Sequence, residues 1–152
     1  MSRRKPMQVS IETILQAHGK LGDFSAAFIL DRDFHLKLKM DNYMPLVIEK
    51  VGPDRISICH YFVVNGDVMY DPEIIFSYRP DIPDCDWVPV EITQPTIYIF
   101  GRVCGGYRAK FFTGEDGREM VDTSFAHDIA ELVQVWARNL RHQGWDEAEV
   151  IS

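Results

Sequence analysis

The chain has 152 residues, of which 46% are apolar, 26% charged and 12% aromatic, the proportions of a folded domain able to bury a core without disulfide or metal staples. Its 23 acids and 16 bases give a formal charge of −7, which argues against a protein that coats nucleic acid. The apolar runs are too short to span a membrane, and the basic start Arg3-Arg4-Lys5 leads into no apolar signal segment.

In chain order, Val9 to His18 reads as a short helix. Ser10 is its expected N-cap, Ile11, Ile14, Leu15 and His18 share a stripe, and Gly19 is the stop. The segment Lys20 to Asp33 stays open, because Ser25 to Leu30 fits a helix or a buried strand. The period then changes to two: Phe34, Leu36, Leu38 and Met40 alternate with His35, Lys37 and Lys39, a half-buried strand with one basic face. Asp41-Asn42-Tyr43 reads as a turn. Leu46 to Val51, Arg55 to Val64 and Asp67 to Tyr78 read as strands, with Asn65-Gly66 as a two-residue hairpin turn between the last two. Arg79 to Asp86 is a proline-bearing acidic loop. Trp87 to Ile92 and Thr96 to Val103 are further expected strands, and Asp116-Gly117 marks a second hairpin. Phe125, Ile129, Leu132, Val133, Trp136 and Leu140 follow the helical period from a Thr123 or Ser124 cap to Gly144. No repeat or linker interrupts this order. The expectation is one α+β domain over residues 1–152. It is a mostly antiparallel, meander-like sheet with a short N-terminal and a long C-terminal helix on one face, and tails at 1–7 and 146–152.

The three cysteines, Cys59, Cys85 and Cys104, are widely spaced and form no CxxC pair. This speaks against structural zinc and disulfides and for reduced thiols in the cytoplasm.

The hairpin at Asn65-Gly66 carries the main chemical candidate. With a two-residue turn, Val64 faces Asp67, Phe62 faces Met69 and His60 faces Asp71. The strand period then gathers His60, Asp71 and Glu73 on one face. The face with Cys59, Tyr61, Val63, Val68, Tyr70, Ile74 and Phe76 becomes the expected core side. One imidazole and two carboxylates suit a divalent metal, and hence a metal-dependent hydrolase, or a His–carboxylate acid/base pair. The alternative is a cross-strand ion pair of about a kcal/mol or less. Pro72 cannot donate to the ladder, so it belongs at an edge or a bulge, which would re-aim Asp71 or Glu73.

The run His60-Tyr61-Phe62, Asn65-Gly66-Asp67, Met69 and Asp71-Pro72-Glu73-Ile74, with Trp87-x-Pro89 downstream, resembles the central motif of an uncharacterised domain family of bacterial mobile elements and phages. That resemblance implies no catalytic residues and no established activity. It implies an accessory protein that binds a host protein.

Other features are weaker. Gly101 to Gly106 lacks the spacing of a phosphate loop, and no local signature makes Cys104 a nucleophile. His35, Lys37 and Lys39 read as a solvated strand face. Asp81, Asp84 and Asp86 beside Trp87 form an acidic loop with one aromatic anchor, and Asp146-Glu147-Ala148-Glu149 adds acidity. Trp87, Tyr98 and Trp136 suit either a small-molecule pocket or a core. The leading expectation is a non-enzymatic protein that binds a host protein, with inhibition through its acidic surface as one form of that role. Its candidate binding residues are His60, Asp67, Asp71, Glu73 and Trp87. It needs no cofactor unless His60, Asp71 and Glu73 hold a divalent metal, and it has neither nucleic acid nor a membrane as direct ligand.

Overall fold

The computed structural model describes the backbone of residues 6–79, 87–99, 102–110, 112–113, 119–120 and 123–151, and within these the side chains of 6–63, 65–66, 68, 72–79, 87–93 and 131–151. Two helices open the chain, α1 (Pro6–Ala17) and α2 (Leu21–Ile29). Six strands follow: β1 (His35–Lys39), β2 (Leu46–Gly52), β3 (Arg55–Val64), β4 (Asp67–Ser77), β5 (Val88–Ile99) and β6 (Arg102–Lys110). A short pair, β7 (Phe112–Thr113) and β8 (Glu119–Met120), precedes the long helix α3 (Thr123–Gln143), a 3₁₀ turn at Trp145–Glu147 and the edge strand β9 (Glu149–Val150). The fold is α+β. Its seven-stranded sheet runs in the order β6-β5-β4-β3-β2-β1-β9, and every neighbouring pair is antiparallel.

Periodicity explains the helices. In α1, Met7, Ser10, Ile11, Ile14 and Leu15 form the buried stripe, and in α3 Val133, Trp136, Ala137 and Leu140 do the same. Ser10 is not a cap. It lies inside α1, and its hydroxyl donates to the Ala137 carbonyl at 2.9 Å, drawing α1 onto α3. The open segment resolves as helix α2, whose Phe24 and Phe28 pack with Phe34, Tyr78 and Trp87 in an aromatic cluster. The expected strands at Trp87 to Ile92 and Thr96 to Val103 are instead the single long β5 followed by β6. The C-terminal stretch expected as a tail is tied down, because β9 pairs with Leu38 and Lys39 and the Ile151 amide donates to the Lys37 carbonyl at 2.9 Å. Residues 80–86 and 114–118, the acidic loop and the tip of the second expected hairpin, lie outside the described residues.

The Asn65-Gly66 turn has positive φ at both residues, 52° and 84°, as a type I′ hairpin requires. Pairing runs as expected from Val64↔Asp67 to Tyr61↔Tyr70 and then shifts by one, so that Cys59 faces Glu73 and Ile58 faces Ile74. The extra residue falls at Asp71-Pro72, a bulge at the proline that cannot donate. That shift moves Ile74 and Phe76 to the Ile56–Ile58 side, and the core lies on that side rather than on the expected Cys59 side. The helix-covered side of β3 carries Ile56, Ile58 and His60, joined by Ile74 and Phe76 of β4. Cys59, Tyr61 and Val63 lie on the other side, where Val63 and Val68 are exposed.

Candidate binding face

One face of the sheet is buried under the helices. On the other, among the described residues, no helix lies over β1 to β4, and polar side chains stand in cross-strand rows. The first row runs His35, Glu49, Ser57, Ile75, Glu91, and the second Lys37, Val47, Cys59, Glu73, Thr93. Small side chains at Val47, Ser57 and Cys59 form a floor. Longer ones from β1, β2 and β4 stand around it, and with Tyr61 and Val68 they enclose a basin of about 310 Å³.

Each wall is held by a specific contact. The Ser57 hydroxyl donates to Glu73 Oε2 at 2.8 Å. His35 Nε2 lies 3.6 Å from Glu49 Oε2. Lys37 leans across the sheet, its ammonium 4.8 Å from the centre of the Tyr61 ring. Among the described residues no lysine or arginine pairs with Glu49 or Glu73. Cys59, only 4% exposed, lines the basin and faces Glu73 across the strands. Burial pushes its thiol up from 9.0 to about 12, with Glu73 and then Glu49 adding to the rise. A thiol so placed stays protonated and is a poor nucleophile. The rise leaves about a thousandfold less thiolate at pH 8 than an ordinary cysteine has. Alkylation of Cys59 by iodoacetamide, followed by peptide mass spectrometry, is therefore expected to be at least about a hundredfold slower in the folded protein than in urea. Glu73→Gln, by removing one cause of the rise, speeds it. Equal rates in folded and unfolded chain would show that the thiol is neither buried nor perturbed.

The expected cluster of His60, Asp71 and Glu73 does not assemble, because His60 and Glu73 lie on opposite faces. His60 is buried on the helix side. Its Nδ1–H donates toward the carbonyls of Met44 and Pro45 at 3.2 and 3.3 Å, and its ring lies 5.5 Å from both Trp136 and Trp145. No single ion reaches both His60 and Glu73. Among the described residues no group of three or more His, Cys, Asp or Glu is placed to hold a metal. Asp67 pairs with Val64 at the turn and Asp71 sits at the bulge, but both side chains lie outside the described residues. Trp87 is not an exposed anchor of the acidic loop. It is 1% exposed, with Phe76, Tyr78 and Phe24 rings within 5.9 Å. Trp136 is likewise buried against His60, and the side chain of Tyr98 lies outside the described residues.

The basin residues other than Glu73 were missed as a group from sequence. The available signal was the polar parity of β1 to β3, His35-x-Lys37, Val47-x-Glu49 and Ser57-x-Cys59-x-Tyr61, which the apolar look of β3's outer face concealed.

Fold and face together define a helix-backed antiparallel meander with one open, polar-lined sheet surface. No described helix is long and apolar enough to cross a membrane. The chain belongs to the family described as Domain of unknown function (DUF6908), which matches residues 9–145. No curated protein and no solved structure matches it.

Proposed function

We propose that the protein is a non-catalytic binding module that docks on a partner protein through the open face of its sheet. One observation carries this reading. The face keeps a structured polar basin and exposed apolar side chains, Val63 and Val68, next to each other, while the Glu73 carboxylate is fixed by Ser57. An apolar patch beside a fixed charge is the composition of a recognition surface rather than of a merely solvated one. The basin's chemistry points the same way, since Cys59 is held protonated and the Ser57 hydroxyl donates to the Glu73 carboxylate. In this reading the chain is an accessory protein of a phage or mobile element. It acts in the cytoplasm on a host protein, with neither nucleic acid nor membrane as direct ligand.

The test compares affinity capture by the wild-type chain, by Val63→Asp/Val68→Asp, and by Ile29→Asp, an exposed position on α2. All three are first matched for melting temperature. A partner retained by wild type and Ile29→Asp but lost by the valine double variant supports the reading. Capture that survives the valine changes and fails with Ile29→Asp would move the interface to the helical side and overturn it.

A further inference from the structure

We propose that the open-face basin is a socket for one cationic side chain, an arginine presented by the partner protein. The inference rests on the docking reading above and names the chemistry of its central contact.

Three features lead to it. Glu49 and Glu73 both border the basin, and no described lysine or arginine neutralises either one. The nearest lysine, Lys37, is drawn onto the Tyr61 ring instead. The Glu73 carboxylate is also held from behind by the Ser57 hydroxyl, and so does not have to be ordered when a ligand arrives. Finally, Ser57 and Cys59 give the floor polar atoms beside Val47. The Cys59 thiol lines it at 4% exposure and makes no hydrogen bond to any described group.

With two glutamates against one lysine among its lining side chains, the basin favours a cation. At about 310 Å³ it is far larger than a bare ion needs and admits a whole side chain. Between the two common cationic side chains, the donor pattern favours arginine. Its planar fork presents several fixed donors that match carboxylate oxygens, whereas an ammonium is a compact point charge that keeps its water. The net charge of −7 adds long-range attraction for a basic partner surface.

The test titrates the full ¹⁵N-labelled chain with N-acetyl-arginine methylamide and, separately, with the citrulline analogue, which keeps the shape and loses the charge. The arginine probe is expected to shift the amides of Ser57, Cys59 and Glu73 saturably. The citrulline analogue binds at least about tenfold more weakly, and Glu49→Gln and Glu73→Gln each weaken the arginine probe by a similar factor. Equal binding of the neutral analogue overturns the proposal without needing any variant. So do shifts confined to another region, unchanged affinity in both glutamine variants, or displacement of the probe by millimolar Mg²⁺ showing a metal site. If arginine fails while capture still depends on Val63 and Val68, the socket falls and the docking face stands. If arginine binds while capture ignores the valines, the basin is a small-cation pocket and the docking face falls.

Discussion

Trp145→Ala is expected to lower the unfolding free energy by about 3–5 kcal/mol, the range for removing a fully buried aromatic side chain. Trp145 has 0% exposure, and several segments converge on it. Its ring lies 5.5 Å from His60 of β3 and 6.1 Å from Tyr43 in the β1–β2 connection. Its carbonyl accepts a hydrogen bond from His18 Nε2, just beyond α1, at 2.9 Å. Its indole N–H donates to Gln143 Oε1 at the end of α3, at 2.8 Å. Gly144, at φ 88°, lets the chain turn out of α3 so that the ring can reach inward. Removing the ring opens a cavity beside β3 and the β1–β2 connection and breaks the bond to the end of α3. Trp145→Phe keeps most of the packing and loses the indole donor, so its expected loss is smaller, about 1–2 kcal/mol. Urea unfolding followed by circular dichroism measures both. A Trp145→Ala loss under about 1 kcal/mol would mean that the C-terminal turn is not part of the cooperative core.

The sequence reading went furthest where a single rule acted alone. The alternation from Phe34 to Met40 marks β1 because Leu36 and Leu38 point into the core and nothing interrupts the pleat. The stripe of α3 and the Asn65-Gly66 turn are legible for the same reason, each being a local pattern with one physical cause. The candidate site was harder, because face assignment sums over every residue between the turn and the site. One additional residue at Asp71-Pro72 moves Glu73 away from His60 and next to Cys59. The proline signalled a bulge, but a bulge of unknown size leaves the parity open. The core side of β3 was misleading for a related reason. Ile56-x-Ile58-x-His60 ends in a polar ring, while Cys59, Tyr61 and Val63 read as apolar, yet it is the histidine row that the helices cover. His60 tolerates burial because two carbonyls accept from Nδ1 and two tryptophan rings pack on it. Those partners lie about 15 residues upstream and beyond residue 135 in the chain, so no local pattern announces them.

Lys50→Met is expected to destabilise the protein by about 2–3 kcal/mol, whereas Asp31→Asn changes stability by less than about 1 kcal/mol. The contrast follows from what holds Lys50. Register places it on the same row as Leu46 and Ile48, facing Ile56, which is the helix-covered side. Its side chain is only 6% exposed, an unusual site for a lysine. There the ammonium donates to three oxygens: the Ala27 carbonyl at 3.0 Å, the Arg32 carbonyl at 3.0 Å and Asp31 Oδ1 at 2.9 Å. The Phe28 ring lies 5.6 Å away. Two of those partners are main-chain carbonyls at and just beyond the end of α2, where the helix dipole is negative; the Ala27 carbonyl also accepts from the Arg32 amide at 2.8 Å. Lys50 is thus a cap supplied by the sheet, and it fixes α2 onto β2. Methionine keeps the stem's packing but leaves the Arg32 carbonyl without this donor. Asp31 is 82% exposed, so its share of the interaction is that of a surface ion pair. Asparagine also tolerates the left-handed backbone there, φ 51°, and so isolates the charge. Thermal or urea unfolding of the two variants decides between partners. A larger loss for Asp31→Asn than for Lys50→Met would show that the ion pair, and not the helix-end carbonyls, holds Lys50 in place.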